Sequence, residues 1–157
     1  MLLFPSLRDR ITSPHSPDEV CGLLQGMTES RYISFSTNCE FIGKADTSGF
    51  SIRPYIQGRN SFLPVIKGRV LPAGGGSEIV VRMGLYLSVK LLMSVWFGGV
   101  GFFFLCGLAA GIVDGFENAW QLTAISAGMF ATGQILMRAS FLHSARKAQK
   151  RLRELLV

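Results

Sequence analysis

The sequence predicts an α+β membrane protein: an N-terminal helix and an antiparallel, half-barrel-like sheet, then a two-helix transmembrane hairpin with a basic C-terminal helical extension. Three observations predict it. Charge almost vanishes between Leu85 and Met137, where only Lys90, Asp114 and Glu117 interrupt an apolar run. Before that run, apolar residues recur first at helical and then at alternating spacing. After it, the chain becomes strongly basic while keeping an apolar stripe.

The first element is a helix opening at Ser16-Pro17-Asp18-Glu19, with a serine cap, proline at the first helical position and acids at the positive dipole end. Val20, Leu23, Leu24 and Met27 form its apolar stripe, and the helix is expected to end near Glu29. Residues 1–15 are expected to be a flexible segment. Met1–Phe4 is too short for a secretory signal, is broken by Pro5 and has no basic residue before it. The spacing then changes to two, giving strands at Tyr32–Ser36, Glu40–Lys44, Gly49–Ile56 and Ser61–Leu71. Pro72–Ser77 (PAGGGS) reads as a hairpin turn. Ile79, Val81, Met83, Leu85 and Leu87 alternate strictly beyond it, so the last strand runs almost directly into the membrane segment. The cytoplasmic α+β domain is thus placed at residues 16–87.

The hairpin is placed at residues 88–137. Leu91–Val113 is 23 residues without a charge, roughly 35 Å of helix and enough to cross a hydrocarbon core. Ala119–Met137 is 19 residues, diluted by Gln121, Thr123, Ser126, Thr132 and Gln134. It is assigned as a second span because it follows the first so closely and is closed by Arg138. Asp114–Asn118 is then the turn. Helix packing is expected along Gly107, Gly111 and Gly115 on one helix and Ala124, Gly128 and Thr132 on the other, since small residues let backbones approach. Residues 138–157 are read as an amphipathic helix continuing the second span and lying against the sheet, with Phe141, Leu142, Ala145, Ala148, Leu152, Leu155 and Leu156 on its apolar side.

Charge sets the orientation. Residues 1–83 hold nine Lys/Arg and seven Asp/Glu; residues 138–157 hold six basic residues and one acid, against a net charge of +6 for all 157 residues. Lys90, Arg138, Arg146, Lys147, Lys150, Arg151 and Arg153 are expected at the membrane surface, and the intervening turn has no basic residue. The positive-inside rule then puts both termini in the cytoplasm. Beside a membrane, this basic tail points to topology and anionic headgroups, not to nucleic acid.

No residue pattern indicates a reaction centre, metal or cofactor. Cys21, Cys39 and Cys106 are odd in number and contain no CxxC, which fits a reducing compartment. His15 and His143 have no partner at ligand spacing. Gly74-Gly75-Gly76-Ser77 is followed by a strand, which suits a hairpin and not a phosphate loop. Arg59-Asn60-Ser61-Phe62-Leu63-Pro64 reads as a structural corner before it reads as a ligand loop. Gln121 and Gln134 fall about 140° apart on an ideal helix, a poor lining for a channel.

The segment FIGKADTSGFSIRPYIQGRNSFLPVIKGRV, followed by GGGSEIVVRM and the apolar run, resembles a group of small bacterial membrane proteins. In these an "SPxEV" helix start precedes an "RNSFLPV" strand and a two-helix anchor, and the likeness covers residues 16–110. It implies the architecture and a bacterial inner membrane, with no chemistry attached. The expected function is a non-enzymatic accessory or assembly subunit whose partners are membrane lipids and other membrane-protein subunits or a second copy of itself. Two alternatives remain: a homo-oligomeric pore or membrane-perturbing effector, and a lipid- or amphiphile-binding protein at the bilayer surface.

Overall fold

The computed structural model describes residues 3–29, 41–46, 49–56 and 60–157. It divides into two compact units, one formed by Met1–Tyr86 with Ser140–Val157 and the other by Leu87–Ala139.

The first unit is an α+β sandwich of one sheet and its helical cover. β1 (Ser6–Ser13) leads to α1 (Pro17–Met27), followed by β2 (Thr28–Glu29), β3 (Phe41–Asp46), β4 (Gly49–Pro54), β5 (Val65–Ala73) and β6 (Gly76–Gly84). The strand order is β1-β6-β5-β4-β3-β2. Among the described residues five strands are antiparallel, and the two-residue β2 joins β3 in parallel at the edge.

α1 starts where its cap chemistry requires. The Ser16 hydroxyl accepts from the Glu19 backbone N–H while the Glu19 carboxylate accepts from the Ser16 N–H at 2.8 Å, a reciprocal capping box. Those bonds from Ser16 hold the exposed Glu19 carboxyl below its ordinary value. The helix buries Val20, Cys21 and Leu24, whereas the expected stripe residue Leu23 stays exposed.

Period two governs the sheet. Leu7, Asp9, Ile11 and Ser13 of β1 stand opposite Met83, Val81, Ile79 and Ser77 of β6, and these in turn face Ile66, Gly68, Val70 and Pro72 of β5. This inner face meets α1 and the end of the last helix, and Ile52, Ile66, Ile79, Val81 and Met83 are buried in it. Each such side chain contributes about 1.5–3 kcal/mol. Phe50 lies opposite Gly68, and a Cβ on Gly68 would meet the Phe50 ring, so the missing side chain makes room for the aromatic one. The β5–β6 connection is only Gly74-Gly75, both at positive φ, as a tight two-residue hairpin requires. Pro72 and Ser77, expected in the turn, are paired strand residues.

The second unit contains α2 (Leu87–Asp114) and the first part of α3 (Phe116–Leu156). α2 is the one described helix long and apolar enough to cross a membrane, over Leu87–Val113. This overturns the expected two-helix transmembrane hairpin and the multi-pass arrangement built on it. Ala119–Met137 is part of a single helix of 41 residues, and its glutamines and hydroxyl residues leave it too polar to qualify. The turn is also shorter than expected. Asp114–Asn118 is not a loop: Gly115 alone breaks the helix, at φ 87°, a conformation glycine adopts without a Cβ penalty.

Two other expectations change. Residues 6–13, expected to be flexible, form edge strand β1. Ser61–Pro64 lies outside β5, which begins at Val65. Tyr32–Ser36, Glu40, Cys39 and Arg59 lie outside the described residues.

Candidate functional site

Two features of the helical unit and two of the α+β unit carry side chains suited to binding. In the helical unit α2 packs against α3 through Phe97 and Phe130, whose ring centroids are 4.9 Å apart in a tilted arrangement. Gly107 lets the backbones approach, since a Cβ there would lie 2.5 Å from Thr123 Oγ1. Gly133 sits against the Phe97 ring in the same way. Thr123 and Ser126 donate to the carbonyls of Ala119 and Leu122 at 3.1 and 2.8 Å, so the hydroxyls are satisfied within their own helix.

The predicted packing residues divide. Gly107 and Gly111 are buried, and Gly115 is the break between the helices. Ala124, Gly128 and Thr132 are exposed, and the contact on α3 runs through Ala119, Thr123, Ser126, Phe130 and Gly133. The period of four was visible in the sequence, but its phase was not: Thr123 opposite Gly107 fixes it one residue earlier.

The outer surface of α2 is the more unusual feature. Leu91, Leu92, Val95, Phe102, Phe103, Leu105 and Ile112 are all exposed. Only 17% of the helix's most apolar stretch is buried. A core helix of a soluble protein with this composition would be mostly covered. Lys90 is half-buried near its start. Between the helices a small cavity of about 330 Å³ is lined by Val100, Gly101, Phe104, Ser126, Ala127 and Phe130.

In the α+β unit, the end of α3 covers the sheet. Phe141, Ala145, Ala148, Leu152 and Leu156 are buried at spacings of three and four. Asp9, on the inner face of β1, accepts from Gln149 at 2.6 Å and from Arg153 at 2.9 Å. Burial alone would raise the Asp9 carboxyl, but the bonds from Arg153 and Gln149 and the charge of Arg153 hold it below its ordinary value. The Ser13 hydroxyl donates to the Leu156 carbonyl and so satisfies one of the orphan acceptors at the helix end. Of the basic residues expected at a membrane surface, Arg153 is therefore bound to the sheet. Lys150 and Arg151 meet Glu154, at 3.9 and 3.1 Å. Arg138 donates to Gln134 at 3.2 Å, while Arg146 and Lys147 are exposed.

Comparison with protein-family models, with curated proteins and with solved structures gives no match. Function is therefore read from the geometry.

Beside α3 a cavity of about 450 Å³ opens between Phe41, Pro54, Tyr55 and Leu63 on one side and His143, Lys147 and Arg151 on the other. Asn60 braces its rim. Its carbonyl accepts from the Phe62 N–H at 3.0 Å and its amide donates to Ser144 at 3.3 Å, which is the corner geometry expected of this segment. Cys21 donates to the Asp46 carbonyl at 3.3 Å. Burial, followed by the charges of Asp18 and Asp46, pushes its thiol up, which makes it a poor nucleophile. Among the described residues no three His, Cys, Asp or Glu side chains come close enough to hold a metal ion.

The fourth feature, missed by the sequence reading, is the outer face of the sheet. Its basic residues were scattered along the chain and are brought into rows only by strand register.

Proposed function

We propose that the protein is a non-enzymatic, membrane-anchored accessory subunit of a bacterial cytoplasmic membrane, held there by α2. The observation that carries this reading is the apolar surface of Leu87–Val113, of which so little is covered by the chain itself. Exposing a row of Leu, Val and Phe side chains to water forfeits about 25 cal/mol per Å² that burial in lipid would recover.

Charge supports an orientation. Arg82 and Lys90 flank the start of α2, while Asp114 ends it and Glu117 follows. The positive-inside rule then places the N-terminal end of α2 on the cytoplasmic side. The α+β unit would engage a partner subunit while α2 anchors it.

The test is fractionation. The protein should remain in the membrane pellet after alkaline carbonate washing. Val95→Glu combined with Leu105→Arg alters two exposed positions at a cost of roughly 2.5–3.5 kcal/mol each in lipid. It should shift the protein to the soluble or degraded fraction. Full carbonate extraction of the wild type would sink the anchoring reading. Native mass spectrometry after mild detergent extraction tests the accessory role, and a bare monomer with no associate would defeat it.

A further inference from the structure

The outer face of the sheet carries a row of cations set side by side by register. Arg8 stands opposite Arg82, Arg82 opposite Lys67, Lys67 opposite Ser51, and Ser51 opposite Lys44. Successive strands lie about 4.8 Å apart, so four cations occupy one line roughly 19 Å long. Arg69 sits on the same face, two residues along β5 from Lys67. All five are exposed, and among the described residues none of them has an ion pair. Two acids share this face: Glu78 pairs with Arg10 at 3.3 Å, and Asp46, two residues along β3 from Lys44, accepts from the Gly49 N–H at 3.0 Å, so the cations outnumber them.

Like charges directly opposite one another destabilise a sheet. Neutral residues would fold as well, so the row calls for an anionic counterpart. Lys44, Lys67, Arg69 and Arg82, with the single carboxylate of Asp46, also rim a shallow depression of about 710 Å³.

We propose that this face docks on the anionic phosphate headgroups of the membrane in which the protein is anchored. The proposal rests on the anchoring role of α2. Arg82 is five residues before Leu87, the first residue of α2, so covalent geometry keeps the two within about 17 Å. A cation tethered that close to a membrane-embedded helix lies within reach of the headgroup layer. Among the described residues the outer face presents no exposed aromatic side chain: Phe50, which borders the depression, is buried. Stacking on single-stranded nucleic acid would need one, so lipid phosphate is the better match.

Amine footprinting of the full chain in nanodiscs tests this. Nanodiscs of phosphatidylcholine, with and without phosphatidylglycerol, are treated with an acetylating reagent, and Lys44 and Lys67 are read by mass spectrometry. The expected result is several-fold protection of both lysines with phosphatidylglycerol only, lost at high salt. The double variant Arg8→Gln/Arg82→Gln should lose that protection by about fivefold per cation removed. Its thermal midpoint should hold or rise, because repulsion is relieved. Incorporation into both nanodiscs with equal labelling would overturn the docking face and leave the anchor standing. Failure to incorporate into either would overturn both. Protection by an added RNA oligonucleotide and not by phosphatidylglycerol would replace lipid with nucleic acid.

Discussion

Asp9 is a carboxylate on the covered face of a sheet, tolerated because Gln149 and Arg153 reach it from α3. Its side chain is only 12% exposed, while that of Arg153 is 55% exposed, so the pair is partly screened by solvent. Arg153→Ala should lower the midpoint of chemical unfolding, because Asp9 loses its charged donor and, of its side-chain donors, keeps only Gln149. The pH dependence follows from the lowered carboxyl. Its contribution is complete above the unfolded carboxylate value of about 3.9. It is lost as pH falls through the lower folded value. Acid titration should thus weaken the wild type below about pH 4 more than it weakens Asp9→Asn; an identical slope for both would refute the linkage. Gly68 sets a second limit. Its replacement by alanine drives a methyl group into the Phe50 ring, an overpacking worth about 1–3 kcal/mol, and the melting temperature reads it directly.

Among the elements, α3 is the most demanding. Its 41 residues extend about 61 Å, with different surroundings at its two ends. Phe141 and Leu152 are fully buried against the sheet's inner face, so truncating either to alanine should cost about 2–5 kcal/mol. Equilibrium unfolding of the α+β unit is the measurement, and a loss below about 1 kcal/mol would mean that this end of α3 does not seal the core. Legibility in the sequence followed the same logic. The capping box of α1 and the strict alternation of Ile79, Val81 and Met83 announced themselves because local chemistry and burial agree there. β1 did not, because two of its four inward residues are Asp9 and Ser13, whose partners lie more than 140 residues away in sequence. The second span was misread because closeness to the first and the closing Arg138 outweighed the dilution by polar residues. Gln121 and Gln134 carry no charge, yet they lower apolarity as surely as a lysine would. The basic outer face was not legible at all, since nothing short of strand register places Arg8, Arg82 and Lys67 side by side.

At the scale of the molecule, the α+β unit is assembled from two separate stretches of chain, residues 1–86 and 140–157, with the helical unit inserted between them. Removing residues 140–157 should therefore do more than shorten a tail. It strips Asp9 of both its side-chain donors and the Ser13 hydroxyl of its acceptor. The truncated protein should be digested by protease within the sheet strands, where the intact chain resists. Equal resistance would mean that the sheet stands alone.

That interrupted layout also imposes an order in time. The sheet strands are all made by Gly84, but the helix that seals them is translated only after the 53 residues of the inserted unit. At about 5–20 residues per second this leaves roughly 3–11 s in which the inner face has α1 on it but not the end of α3. The same seconds are those in which α2 emerges and needs delivery to lipid. A nascent chain of this kind presents two apolar surfaces at once, one permanent and one provisional, and the provisional surface closes last.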